Sequence, residues 1–224
     1  MQLCGQEHPG VRDQFLHLTI HEFGRLGPGR FSPVTLTRDL GYTTAMINHY
    51  FGSRRGLIAE AAFEVYQQYL SKMRNGVAEA ESTPVARLRA WMSAQIAFAF
   101  ALPGWAVVLN YPNLSLEDPV EFDEKFRDRM TAGFELNMGR LAQLILDVES
   151  GNVAAEEVTA ENFDRAGYLA NQRLVELTAS VAMSTLGAAV WGAGSHAPSR
   201  DTEEAQRLRG YVINQHIEHV IASL

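Results

Sequence analysis

Residues 31–57, FSPVTLTRDLGYTTAMINHYFGSRRGL, constrain this chain more than any other stretch, because they fit two short helices around one tight turn. Ser32 followed by Pro33 is a helix start: the hydroxyl accepts from an orphaned first-turn N–H, and proline supplies the φ of the first helical position. Leu36 and Leu40 then fall on one face. Gly41 ends this helix, since glycine readily adopts the left-handed backbone that a tight interhelical turn demands. Thr43 stands where a cap for the second helix is needed, and on that helix Met46, Ile47 and Tyr50 face inward. Thr44, Ala45, Asn48 and His49 are left facing outward. These small or hydrogen-bonding groups suit a helix whose N-terminal residues approach base edges in the major groove.

With its flanks, this segment resembles the DNA-binding head of the TetR family of bacterial transcriptional regulators, in an ungapped register over about residues 11–60. Phe23 matches the aromatic of the family's first helix, Gly27 its terminating glycine and Ser32 the cap of its second helix. Gly41 and Phe51 occupy the strongest anchor positions, and Phe51, Gly52, Ser53, Arg54 and Leu57 match an aromatic, glycine, serine, lysine, leucine run, with arginine for lysine. Two positions depart from the pattern. Asn48 stands where the family usually has a phosphate-holding tyrosine, and Leu36-Thr37 replaces an isoleucine-alanine pair.

The resemblance implies a homodimeric repressor that binds double-stranded operator DNA and releases it when a small-molecule effector occupies the body. Residues 1–52 would form the DNA-binding domain and 53–224 the effector-binding and dimerisation domain, joined by a linking helix over 53–76. Thr43, Thr44, Ala45, Asn48 and His49 would face the groove. Tyr50, Arg54 and Arg30 would hold phosphates, which position a head without specifying sequence. The alternative, to which Asn48 gives room, is a ligand-binding or enzymatic helical protein that has lost DNA binding.

A net charge of −7 looks wrong for a DNA binder until it is divided along the chain. Residues 1–60 hold six arginines against five acids, a balance of +1, so the remainder carries −8. A locally arginine-rich head on an acidic body favours docking through one end. Hydrophobic residues make up 46% of the chain, with no uninterrupted apolar run of about eighteen residues, so no membrane span is expected. The first ten residues show neither a basic leader nor an apolar core, and Cys4 is the single cysteine. No secretory signal and no intrachain disulfide follow, which fits a cytoplasmic protein.

The rest reads as helix, giving an all-α fold of about nine helices. A first helix spans 11–23, and Ser53 caps a longer one that carries Lys72 and Arg74 in its last turn and stops at Gly76. Thr83-Pro84 opens the next, to about 102, and Pro103 restarts the chain as a short helix to 110, before Pro112. Asp118, Pro119 and Glu121 form a cap, a first-turn proline and a capping-box acid for a helix that reaches about Ser150. A long helix is expected over 163–190, and Asp201 with Glu204 opens the last.

Phe122, Phe126, Met130, Phe134 and Met138 recur every four residues and so form one ridge. The plainest role of such a ridge is core. As a ligand cavity it would gain walls from Trp91, Phe98 and Trp105 and orienting polar groups from Gln95, Asn137, Asn171, Gln172 and Glu176. In the resemblance this is where the effector sits. Ala182, Leu186, Ala189 and Ala193 step along one side of the long helix, with Gly187, Ala188 and Gly192 adding small surface. The final helix has one stripe of Leu208, Val212 and Gln215 and another of Ile213, Ile217, Val220 and Leu224. A helix apolar on two sides needs two partners, which a broad monomer core could supply; the preferred reading is a dimeric four-helix bundle through the last two helices, as the resemblance implies.

Other chemistry finds little support. His17 with His21, and His216 with His219, have spacings that a metal can use, but no cysteine pair or HExxH completes a site, so neither a metal nor another cofactor is expected. There is no G-x-S-x-G, Walker or dinucleotide glycine pattern, so an enzyme is not expected.

Overall fold

The computed structural model describes residues 10–27, 29–110, 124–194 and 203–224. Among these residues there are ten helices and no strand. The head holds α1 (Val11–Leu26), α2 (Pro33–Asp39) and α3 (Thr44–Phe51), and α4 (Arg54–Glu79) leads out of it. The body adds α5 (Pro84–Ala101), α6 (Pro103–Asn110), α7 (Glu124–Ser150), α8 (Arg165–Ala170), α9 (Gln172–Gly194) and α10 (Glu203–Ala222). Cys4, Pro112, Asp118, Pro119, Glu121, Phe122 and Asp201 lie outside the described residues.

Local chemistry sets several of these boundaries. Ser32 Oγ accepts from the Thr35 N–H at 3.5 Å with Pro33 in the first turn, and Ser53 Oγ accepts from the Gly56 N–H at 2.9 Å. Thr83 Oγ1 likewise accepts from the Ala86 N–H at 3.3 Å, ahead of Pro84. Gly41 takes φ +72°, and the turn closes as the Tyr42 N–H donates to the Thr37 carbonyl at 2.8 Å.

Two expectations need correction. α4 does not stop at Gly76 but continues to Glu79, so Lys72 and Arg74 are not in its last turn. Gly76 lies within helical backbone, where a side chain would make only ordinary contact with Ala94 Cβ at 3.4 Å and the Ala90 carbonyl at 3.5 Å on α5. The helix expected over 163–190 is two, because Asn171 breaks it and its Oδ1 accepts from the Leu174 N–H at 3.1 Å as the cap of α9. That break makes ten helices rather than nine. It also explains Asn171 as a cap.

One apolar cluster runs through head and body. It joins Phe15, Phe23, Leu36, Ile47 and Phe51 to Leu57, Val65 and Met73 on α4, and continues through Leu88, Leu141, Val181 and Ile217. Each such side chain contributes roughly 1.5–3 kcal/mol on burial. α4 packs on α1 and α3 at one end and on α5 and α7 further along, so the two halves share a helix. By length and apolar composition, 172–190 in α9 could cross a membrane, as could α5 and α6 taken together, but that pair is bent by 115°. In this fold α9 packs on α5, α7 and α10, burying Leu174, Val181, Ala182, Leu186 and Ala189.

The bend between α5 and α6 brings α6 against α1. Trp105 is fully buried there, its ring stacked on Phe23 with centroids 4.1 Å apart, and its Nε1 donates to the Ile20 carbonyl at 2.7 Å. Glycine on each helix permits the approach. A side chain at Gly104 would run into the Phe23 carbonyl and lie 2.9 Å from Gly27 Cα, while one at Gly24 would lie 2.6 Å from Leu102 Cδ2. Gly104→Ala forces backbone apart and should destabilise the chain by about 1–3 kcal/mol. Trp105→Phe keeps a ring but loses the hydrogen bond, an expected loss of about 0.5–1.5 kcal/mol. Denaturant unfolding checks both, and unchanged midpoints would mean that this contact contributes nothing.

Candidate functional site

α3 meets the rest of the head through Ile47 and Phe51, both buried, with Met46 half-buried. This leaves Thr43, Thr44, Ala45, Asn48 and His49 exposed. Tyr50 is less free: it is half-buried, with its ring edge-on to His49 at 4.8 Å and to Phe51 at 6.5 Å. Thr43 occupies the N-cap position with extended backbone, yet its side chain makes no capping hydrogen bond. The N–H groups at the start of a helix have no intrahelical partner, so this end of α3 offers donors as well as side chains.

Ion pairing sorts the arginines of the head. Arg12 pairs with Glu60 and lies over the Phe51 ring at 5.2 Å, Arg25 pairs with Glu22 at 2.7 Å, and Arg38 sits 3.5 Å from Asp39. Arg30 and Arg54 are exposed and form no ion pair with a described residue. Arg54, Thr44 and Asn48 line one shallow depression of about 280 Å³ together with Ser32 and Val34. That arrangement sets a cation beside hydrogen-bonding groups on one face, which suits a phosphate backbone flanking base edges. Arg30 lies in the loop between α1 and α2.

The residues proposed for a cavity in the body are dispersed. Trp91 and Asn137 are buried and line a narrow pocket of about 30 Å³ with Arg74, Arg87 and Arg140. Gln95 and Phe98 lie in the core around Tyr69: Gln95 Nε2 donates to the Tyr69 hydroxyl at 3.1 Å, and the Phe98 ring is 4.7 Å away. Burial pushes the Tyr69 phenol well above its ordinary pKa, partly opposed by that hydrogen bond. Phe126 is buried against Phe63 at 4.7 Å, and Met130 is half-buried with its carbonyl accepting from the Tyr66 hydroxyl at 3.2 Å.

Four of the proposed residues are placed elsewhere. Trp105 serves the contact with α1 described above. Phe134 is 55% exposed, because positions four apart advance about 40° around a helix and one neighbour cannot cover the whole ridge. Gln172 and Glu176 are exposed on the first turns of α9 and bond to each other at 2.7 Å. Ala182, Leu186 and Ala189 of the same helix do not form an open face either: all three are buried.

Arginine was the signal missed in the body. Arg129, Gly133, Leu136 and Arg140 follow helical spacing on α7, as do Gln67, Leu70, Ser71 and Arg74 on α4. Both sets line one groove of about 400 Å³. The histidine pairs have simpler roles. His17 and His21 face each other with Nε2 atoms 3.2 Å apart, while burial and then the neighbouring His219 push the His216 pKa down. No group of three or more metal-ligating side chains suited to a metal ion occurs among the described residues.

No known family profile matches the chain, and no curated protein sequence does. Solved structures do. A protein of unknown function from Rhodococcus sp. RHA1 is similar at a TM-score of 0.66 and 15% identity, over 99% of both chains. A ketosteroid transcriptional regulator of Mycobacterium tuberculosis is similar at 0.60 and 12%, over 97% of this chain and 98% of that one. A transcriptional regulator of the TetR/AcrR family from Thermobifida fusca YX-ER1 is similar at 0.58 and 16%, over 92% and 96%. The chain therefore has, over nearly its whole length, the all-α fold that these regulators share.

Proposed function

We propose that this chain is a DNA-binding transcriptional regulator, a homodimeric repressor that leaves its operator when a small molecule occupies the body. The observation that carries the reading is the surface of α3: Thr44 and Asn48 share a depression with Arg54, a cation without an ion pair to any described residue. The fold shared with solved transcriptional regulators supports it. Thr43, Thr44, Ala45, Asn48 and His49 read the groove, and Arg54 and Arg30 hold phosphates. Tyr50, half-buried, adds its hydroxyl end at most.

The dimer reading rests on α10. Ile217 and Val220 are buried in the chain's own core, with Ile213 and Leu224 packed against it, so that stripe already has its partner. Leu208 and Tyr211 are 59% and 62% exposed, and Met183 on α9 is 62% exposed. These apolar groups suit a second copy of the same two helices, which would hold two heads about 34–36 Å apart, or a multiple of that, for successive major-groove faces. A small molecule releases DNA by preferring the state in which the heads are wrongly spaced.

Binding of genomic fragments at varied salt tests the reading. Asn48→Ala should relax preference at one base pair by roughly 1–3 kcal/mol if its amide contacts adenine through both groups. Arg54→Ala should weaken all fragments alike and reduce the salt slope by about one unit, as loss of one phosphate contact does. No binding to any fragment would favour a ligand-binding or enzymatic protein whose head has lost DNA, the reading to which Asn48 gives room. For the dimer, Leu208→Asp with Tyr211→Asp should give a folded monomer in sedimentation. A parent chain that is already monomeric would remove the dimer.

A further inference from the structure

The groove between α4 and α7 has a charge pattern that the core does not require. Its walls carry three guanidinium groups, from Arg74, Arg129 and Arg140, and no carboxylate among the lining residues. Arg74 forms no ion pair with a described residue, and Arg129 lies over the Phe63 ring at 4.4 Å. Arg140 is anchored by its Nε, which donates to the Val158 carbonyl at 2.9 Å and lies 3.5 Å from Glu157. Burial pushes the Arg140 pKa down, Glu157 opposes this, and the like charge of Arg74 adds to it. Three cations are gathered in the groove itself, and the carboxylates nearby, Asp147, Glu156 and Glu157, line the pocket beneath it rather than the groove.

A second feature lies beneath. The 30 Å³ pocket shares Arg74 and Arg140 with the groove and reaches Trp91 and Asn137. Trp91 is 2% exposed, and its indole N–H has no acceptor among the described residues. Buried donors are nearly always paired, so this one calls for an acceptor that the described residues do not supply. Asp147 does not supply it. Its oxygens already accept from Arg87 at 3.2 Å, Gln143 at 2.8 Å and the Ala154 N–H at 3.1 Å, which neutralises Arg87 and leaves Arg74 uncompensated. Gly133 completes the groove: a side chain there would lie 3.0 Å from Leu70 Cδ1 and 3.3 Å from the Tyr66 ring.

We propose that this groove binds a small organic oxyanion, a carboxylate or phosphate monoester, bridged by Arg74 and Arg140, flanked by Arg129, and with one acceptor reaching the Trp91 N–H. The site rests on the reading of the body as the effector-binding half and names the chemical class of that effector. Leu70 and Leu136 in the same walls give the ligand's apolar part a surface.

Calorimetric titration of the full chain at fixed ionic strength tests this with hexanoate, hexyl phosphate and neutral hexanol, in parallel with DNA binding. Saturable binding of either anion and none of hexanol is expected, and the stronger of the two anions identifies the head group. Arg74→Gln should weaken that anion by about tenfold or more, as loss of a charge-assisted contact does. Lys72→Gln, an exposed α4 control outside the groove, should not. Trp91→Phe, which keeps an apolar ring, should also weaken it. Equal uptake of anion and alcohol, no saturable binding, or loss of binding with Lys72→Gln as great as with Arg74→Gln would overturn the site. Failure to bind DNA while the anions still saturate would support the site and count against the regulator reading; DNA binding without anion binding would do the reverse.

Discussion

Trp105 lies flat on Phe23, and the joining of head to body depends on that contact more than on any other outside α4. A single shared helix would leave the head free to swing about its axis. The indole adds a second point of attachment, fixed in direction by its hydrogen bond to the Ile20 carbonyl. Gly24 and Gly104 let the two backbones approach closely enough for the stack to form. Phe23 also meets Phe31 at 5.4 Å, so the contact reaches the loop before α2. Sequence, packing and the proposed function meet here, because a repressor whose body controls head spacing needs a stiff connection.

Charge divides the molecule into two cationic places. In the head, acids pair with Arg12 and Arg25, while Arg30 and Arg54 have no ion pair with a described residue. In the body, Glu135, Glu149 and Glu218 pair with Arg165, Arg173 and Arg89, so these three arginines tie helices together. Exposed pairs of this kind contribute little to stability. Their consequence lies in what they exclude: Arg74 and Arg129 are outside this network, on a chain whose net charge is −7. Cations without an ion pair to a described residue concentrate the local field where they stand on an acidic body.

The head was legible because its signals are local. Ser32, Gly41 and Ser53 act within a few residues of themselves, and the face of α3 follows from helical spacing around Ile47 and Phe51. The body was legible as helices and much less so as a site. Trp105, Gln172 and Phe134 looked alike as candidates because their positions depend on which helix covers which face, and that is decided by contacts far apart in the chain. Gly76 and Asn171 misled for a related reason. A glycine can sit within helical backbone without ending it, and an asparagine that caps a helix offers the same polar group as one that awaits a ligand. The arginines at 129 and 140 share a face by spacing, but their significance needs Arg74 from α4 beside them.

The most direct test of the account is the rigidity of the head on the body. Spin labels on cysteines introduced at Asp39 and Val85, both exposed, with Cys4 replaced by serine and labelled chain diluted in unlabelled chain, report that distance within one chain. The account predicts a single narrow distribution in the parent and a broadened one in Trp105→Ala that remains folded. A distribution already broad in the parent, or one as narrow without the indole as with it, would contradict the claim that Trp105 holds the two halves together.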